Sequence, residues 1–144
     1  MDNGPQEDAS PGWDYTLHLP HDPRAPRIAR RTLRAILEEH GQRRLRDTAE
    51  LLTSELLTNS YRYAEGPSSM RVRREGERLR VSVSDTSPDL PVHRDVDRSA
   101  EGGRGLALVR LCAADWGGVA LGDQVFGIGG KTVWFELDGT WRDA

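Results

Sequence analysis

The segment from Leu45 to Ala64 constrains the fold more than any other part of the sequence. Its apolar residues recur at spacings of three, four and seven, which places them on one face of a single helix. They are Leu45, Ala49, Leu52, Leu56 and Tyr63. A helix with one apolar face has to bury that face against a second layer, and Gly66-Pro67 ends it.

Another helix is predicted just before this one. It is expected to begin at Pro26 or Arg27 and to continue to about His40, where Gly41 ends it. The residues predicted to face the core are Ile28, Leu33, Ile36 and Leu37. A short third helix is expected from Leu106 to Ala113.

Alternating apolar and polar residues predict five strands. They span Trp13 to Leu19, Met70 to Arg74, Leu79 to Ser84, Asp115 to Leu121 and Lys131 to Leu137. The segment from Arg74 to Arg78 is a predicted hairpin turn between the second and third strands. Strands and helices in this order imply an α+β fold, a two-layer α/β sandwich with helices on one face of a mixed, mostly antiparallel sheet.

Length and composition predict one globular domain. Of the 144 residues, 36% are hydrophobic and 30% are charged, a balance typical of globular proteins. Residues 1–12 are a predicted flexible N-terminal tail, residues 13–138 form the domain, and residues 139–144 are a C-terminal tail. No apolar run is long enough to span a bilayer, and the acidic N-terminus lacks the features of a secretion signal. We therefore expect a cytoplasmic protein.

Cysteine and histidine do not predict a metal centre. Cys112 is the only cysteine, so the chain can form neither an intramolecular disulfide nor a thiolate cluster. The four histidines lack the spacings of common metal sites. The apolar residues around Cys112 predict that this side chain packs in the core.

A basic stretch extends from Arg24 to Arg46. It contains eight arginines and two acidic residues, which gives it a local net charge of +6 although the whole chain carries −3. Such a stretch is either the solvated face of a helix or a surface for an acidic partner. The sequence leaves both interpretations open.

The first pattern that could carry chemistry lies on the Leu45–Ala64 helix. Glu55, Asn59 and Tyr63 are spaced four apart, so they form one column along the helix. An amide oxygen at Asn59 suits a hard cation such as Mg²⁺, and a carboxylate at Glu55 can accept a proton. The alternative is an ordinary helix in which Glu55 is exposed and Asn59 is hydrogen-bonded locally.

A second pattern is the aspartate that follows the strand ending at Ser84. Asp85 places a carboxylate at the rim of the sheet, where it can accept a hydrogen bond from an exocyclic amine such as that of adenine. An Asx-turn that only begins a loop is the alternative. The long irregular stretch from Asp85 to Gly103 that follows is typical of a functional loop.

A third pattern is the glycine-rich turn Gly102-Gly103-Arg104-Gly105. Glycines at the start of a helix expose backbone N–H groups that can hold phosphate, and the helix dipole adds to this attraction. The turn is neither a Walker A motif nor a Rossmann fingerprint. A flexible helix start is the alternative.

The order of these patterns is similar to that of a known family. An acid–amide helix, a strand-end aspartate, a long loop, a glycine turn and a final strand with Lys131-Thr132 resemble the Bergerat ATP-binding fold. Gyrase, sensor histidine kinases and mismatch-repair ATPases share that fold. Among proteins with a compact version of this fold, the chain resembles the anti-sigma-factor serine kinases and other small bacterial histidine-kinase-like ATPases. The resemblance covers roughly residues 13 to 138 and is most specific at Glu55–Ala64 and Gly103–Val109.

The resemblance implies a role for individual residues. Asn59 matches the asparagine that coordinates Mg²⁺, and Glu55 matches the acid that activates the attacking hydroxyl. Asp85 matches the aspartate that reads adenine, and Thr132 matches a threonine near the adenine. The residues that match the phosphate loop are Gly103, Arg104, Gly105 and Leu106.

The chain also departs from the family pattern. The usual Asp-x-Gly-x-Gly is replaced here, because Ser87 and Asp89 stand where the family has glycines. Tyr63 stands where a histidine is common. These changes bear on how tightly the nucleotide binds.

The resemblance implies an anti-sigma-type regulator that uses ATP and Mg²⁺. It implies protein serine/threonine kinase activity toward an anti-anti-sigma factor, with a sigma factor as the second partner. The alternative is a non-catalytic ATP-binding module that sequesters a sigma factor or another partner. A homodimer is compatible with the resemblance, whereas direct nucleic-acid binding and membrane association are not expected.

Overall fold

The computed structural model describes residues 12–87, 109, 112–121 and 130–138. Their elements in chain order are β1 (Trp13–Leu19), α1 (Ala25–Glu39), α2 (Arg43–Tyr63), β2 (Ser68–Glu75), β3 (Arg78–Asp85), β4 (Asp115–Leu121) and β5 (Gly130–Asp138). Residues 109 and 112 are also helical, and the Ala113 N–H donates to the Val109 carbonyl at 2.9 Å. The rest of the predicted third helix lies outside the described residues.

The five strands form one sheet in the order β1-β2-β3-β5-β4. Each neighbouring pair is antiparallel, so the described sheet is antiparallel throughout rather than mixed. Strand β5 therefore lies between β3 and β4, although it comes last in the chain. The predicted α+β architecture, with two helices layered on a sheet, is confirmed.

The core lies between the two helices and one face of the sheet. Val72, Val81 and Phe135 are partners across β2, β3 and β5, and each is 0% exposed. Leu33 of α1 and Leu52 of α2 are also fully buried and belong to the same cluster. Alternation of side chains along the strands places every second residue on this face.

The other face of the sheet is polar. Cross-strand pairing puts Arg71, Ser82, Trp134 and Gly117 in one row across it. Arg80 lies on the same face and its guanidinium is 4.0 Å from the centre of the Trp134 ring. We call this surface the open face.

Periodicity predicts the buried face of α2 correctly along most of its length. Leu45, Ala49, Leu52 and Leu56 are buried as expected. Tyr63 is 36% exposed, so its predicted core position is wrong. The buried residues near this end of the helix are polar or small, namely Asn59, Ser60 and Ala64.

Helix α1 buries a narrower stripe than the sequence predicts. Its buried residues repeat every fourth position, at Ala25, Ala29, Leu33 and Leu37. Ile28 is 54% exposed, so its predicted core position is wrong. Neighbouring residues on a helix point in different directions, so a helix that buries Ala25 and Ala29 turns Ile28 outward.

Cys112 and the arginines of the basic stretch from Arg24 to Arg46 lie at the surface of the protein. Cys112 is exposed rather than packed in the core, so that prediction is wrong. In the basic stretch, Arg34 lies 3.4 Å from Glu50 and Arg46 lies 2.6 Å from Glu38. The basic stretch is thus partly neutralised by ion pairs at the surface.

None of the described helices is long and apolar enough to cross a membrane.

The neighbours Leu51 and Leu52 test which face of α2 supports the fold. Leu52→Ala removes a fully buried side chain and should destabilise the protein by about 2–5 kcal/mol, because it leaves a cavity. Leu51 is 45% exposed, so Leu51→Ala should change stability by about 0.5 kcal/mol or less. Urea unfolding of both variants measures the difference. Equal losses would contradict the assigned face.

Candidate functional site

Buried polar side chains gather where α2 and β3 end and β5 begins. Among the described residues the buried polar or charged ones are Thr53, Asn59, Ser60, Asp85, Ser87 and Lys131. Burying such groups costs stability unless they are hydrogen-bonded or used by a ligand. Apart from Thr53, these residues lie in the last turns of α2, at or just after the end of β3, or at the start of β5.

A hydrogen bond holds the end of α2 close to the end of β3. The Gly66 N–H, just after α2, donates to Thr86 Oγ1 at 3.2 Å, just after β3. A Cβ at Gly66 would lie 3.0 Å from Thr86 Cγ2, so glycine permits this close approach. Strand β2 then begins beside the end of β3, where Ser69 pairs with Ser84. The final turns of α2 and the end of β3 therefore lie at one end of the sheet.

Asp85 and Lys131 form an ion pair in the interior of the protein. The β3–β5 register makes them direct partners, and Lys131 Nζ lies 2.6 Å from Asp85 Oδ2. The side chains are 2% and 1% exposed for Lys131 and Asp85. Asp85 Oδ1 accepts the Ser87 N–H at 2.9 Å, so the predicted Asx-turn is also present. Both carboxylate oxygens are thus fixed in direction.

Sequence patterns alone do not single out Lys131 as a site residue. Its residue type is nevertheless unusual, because Lys131 is the one lysine in a chain that has nineteen arginines. Its partner Asp85 is 46 residues away, and only the pairing of β3 with β5 brings the two together.

Asn59 carries a buried oxygen whose hydrogen-bonding capacity is unused in the described part of the chain. The residue is 6% exposed, and its Oδ1 is inaccessible and has no partner there. This disfavours the interpretation in which Asn59 is hydrogen-bonded locally. A buried amide oxygen without a partner costs about 1–3 kcal/mol. An amide oxygen is also a ligand that Mg²⁺ accepts, so the residue fits a magnesium site.

Glu55 lies one helical turn before Asn59 on the same column of α2. The Glu55 side chain is half-buried, so it is more exposed than Asn59, which is buried, and less exposed than Tyr63. Residues four apart on a helix are neighbours. The structure therefore places Glu55, with a half-buried side chain, one helical turn from Asn59.

Thr132 is not brought together with these residues. It follows Lys131 on β5, so its side chain points to the opposite side of the sheet, the open face. There Thr132 Oγ1 and Ser84 Oγ lie 2.8 Å apart. The predicted phosphate loop, Gly103, Arg104, Gly105 and Leu106, lies outside the described residues.

Comparison with known proteins identifies a domain family for most of the chain. A family model described as "Histidine kinase-like ATPase domain" matches residues 19–119. The matched span contains Glu55, Asn59 and Asp85 and ends before Lys131. A search of curated proteins found no match.

Replacing one partner of the buried ion pair tests its role in stability. Lys131→Met leaves the Asp85 carboxylate buried without a counter-charge and should destabilise the protein by about 3–5 kcal/mol. The double variant Lys131→Met/Asp85→Asn removes both charges and should lose much less. Urea unfolding of the two variants measures the difference. A double variant that is as unstable as Lys131→Met would contradict the pairing.

Proposed function

Because this chain belongs to the histidine kinase-like ATPase family, we propose that it is an ATP-binding anti-sigma-type regulator with protein serine/threonine kinase activity. Its substrate in this proposal is an anti-anti-sigma factor. The observation that carries the proposal is the buried Oδ1 of Asn59, which has no hydrogen-bond partner among the described residues, at the end of the sheet where Asp85 also lies.

The proposed nucleotide site uses residues of α2, of β3 and of the predicted phosphate loop. Asp85 at the end of β3 accepts a hydrogen bond from the exocyclic amine of adenine. Asn59 on α2 ligates Mg²⁺, which neutralises charge on the phosphates when it is bound. The phosphate-binding role of Gly103, Arg104, Gly105 and Leu106 rests on the family resemblance alone.

In the proposed reaction Glu55 orients a serine or threonine hydroxyl of the partner protein. The hydroxyl proton moves to the Glu55 carboxylate as the oxygen forms a bond to the γ-phosphorus. The bond from that phosphorus to the β,γ-bridging oxygen breaks, and ADP leaves. Phosphoryl transfer depends mainly on positioning and charge neutralisation, which a carboxylate one turn from Asn59 suits.

The surface of α1 supports a protein partner. Ile28 is 54% exposed, and Arg27 and Arg31 beside it are also exposed. An apolar side chain among arginines suits a partner with an acidic surface. We assign this surface to the anti-anti-sigma factor or the sigma factor, within the basic stretch from Arg24 to Arg46.

A second candidate is a non-catalytic module that binds ATP and sequesters a sigma factor. The observation in its favour is Ser87, which stands where the family has a glycine. Its backbone is tied to Asp85, and the residue is 4% exposed, so a side chain occupies space that a glycine leaves open. A nucleotide that binds in an altered position would miss the geometry that transfer needs.

Asn59→Ala tests the magnesium site. The variant should lose the Mg²⁺-dependent part of ATP binding, because the substitution removes the amide oxygen that ligates the ion in this proposal. Thr58→Ala changes the exposed neighbour on α2 and serves as the control, with unchanged binding expected. Isothermal calorimetry with and without Mg²⁺ measures the binding, and circular dichroism checks the fold. Unchanged Mg²⁺-dependent binding by a folded Asn59→Ala protein would refute the assignment.

Glu55→Gln separates transfer from binding. The substitution keeps the shape of the side chain but removes the proton acceptor. Phosphoryl transfer from γ-labelled ATP to the anti-anti-sigma factor should therefore fall by roughly 10²-fold, while Mg²⁺–ATP binding stays the same. Glu65→Gln, at an exposed position after α2, is the control. Equal transfer rates in wild type and Glu55→Gln would remove Glu55 from the mechanism, and no transfer by the wild type would favour the binding module.

A further inference from the structure

Lys131 is buried beside Asp85, and the proposed reaction gives it no task. Its ammonium group is 2.6 Å from the carboxylate that is assigned to the base, and its side chain is 2% exposed. We propose that Lys131 is a specificity-determining residue that donates a hydrogen bond to N1 of adenine and so selects adenine over guanine. This role rests on the proposed function, since it requires the base to lie against Asp85.

The charge of Lys131 makes the buried Asp85 carboxylate possible. A carboxylate as deeply buried as that of Asp85 is costly unless a counter-charge lies beside it. The Lys131 ammonium supplies that charge at hydrogen-bonding distance. Asp85 can therefore act as a hydrogen-bond acceptor in the interior, which is what an exocyclic amine needs.

The donor on Lys131 and the acceptor on Asp85 have the spacing that the edge of adenine requires. Lys131 Nζ and Asp85 Oδ2 are neighbours, with a donor beside an acceptor. The edge of adenine presents the reverse pair on neighbouring atoms, a donor at the exocyclic amine and an acceptor at N1. When the amine faces Asp85, N1 faces Lys131. Guanine in the same position presents a carbonyl oxygen to the carboxylate and an N–H to the ammonium, which are two repulsive contacts.

The Asp85 carboxylate can accept more hydrogen bonds than the two it accepts from Ser87 and Lys131. An ionised carboxylate has about four lone-pair positions. Oδ1 accepts the Ser87 N–H and Oδ2 accepts the Lys131 ammonium, so acceptor positions remain for a base. An arginine at residue 131 would bind both oxygens through its planar fork. An ammonium is compact and has three donors that rotate, so it can hold Asp85 and also reach a second acceptor.

The test compares ATP with 1-deaza-ATP, in which a C–H group replaces N1. Both are titrated by calorimetry in Mg²⁺ against the full-length wild-type protein, with 7-deaza-ATP as the matched control because it keeps N1. A hydrogen bond from a charged donor predicts that 1-deaza-ATP binds roughly 10- to 100-fold more weakly than ATP. The control analogue should bind like ATP, and GTP should bind more weakly still.

Lys131→Met gives the second arm of the same experiment. In this variant ATP and 1-deaza-ATP should bind equally, and no more tightly than the wild type binds 1-deaza-ATP, because the Asp85 carboxylate has also lost its counter-charge. A folded Lys131→Met protein that still prefers ATP would overturn the proposal. The wild-type comparison decides the question if the variant does not fold.

The outcomes also separate this proposal from the proposed function. If wild type binds ATP and 1-deaza-ATP equally, Lys131 does not read the base, and the ATP-binding regulator stands. If wild type binds none of the nucleotides, both the specificity role and the proposed function are overturned.

Discussion

The ion pair between Asp85 and Lys131 fixes the pairing of β3 with β5, on which the centre of the sheet depends. Side chains alternate along a strand, so a slip of one residue would turn one of the two charges toward the open face and leave the other buried alone. The same register aligns Val81 with Phe135 and Val83 with Val133 in the core. Correct packing of the core and correct placement of the buried charges therefore require the same alignment.

Helix α2 links this core to the site. Its first turns bury leucine and alanine against the sheet, whereas its last turns bury Asn59 and Ser60. The change from apolar to polar occurs beside the end of β3, where the Gly66–Thr86 hydrogen bond joins the two elements. One helix thus contributes to the core and carries the proposed ligand oxygen of Asn59, which a rigid element holds rather than a loop.

The sequence predicts the described strands and the buried face of α2 because both follow from local periodicity. The predicted burial of Ile28 and Tyr63 is wrong. Each lies near the end of a helix, where burial depends on the angle at which the helix packs, and the sequence pattern does not contain that angle. Lys131 and the orientation of Thr132 could not be predicted, since both depend on which residue of β5 pairs with Asp85. Glu55, Asn59 and Asp85 could be proposed as site residues because short motifs mark them, and the span matched by the family model contains all three.

An amide NMR titration with Mg²⁺ and a non-hydrolysable ATP analogue tests most directly whether the nucleotide binds at this end of the sheet. We expect the largest shift changes at the last turns of α2, at Ser87 and at Lys131. Signals of the open face, such as those of Arg71 and Ser82, should remain nearly unchanged. Shift changes confined to the open face, or no changes at all, would contradict the account.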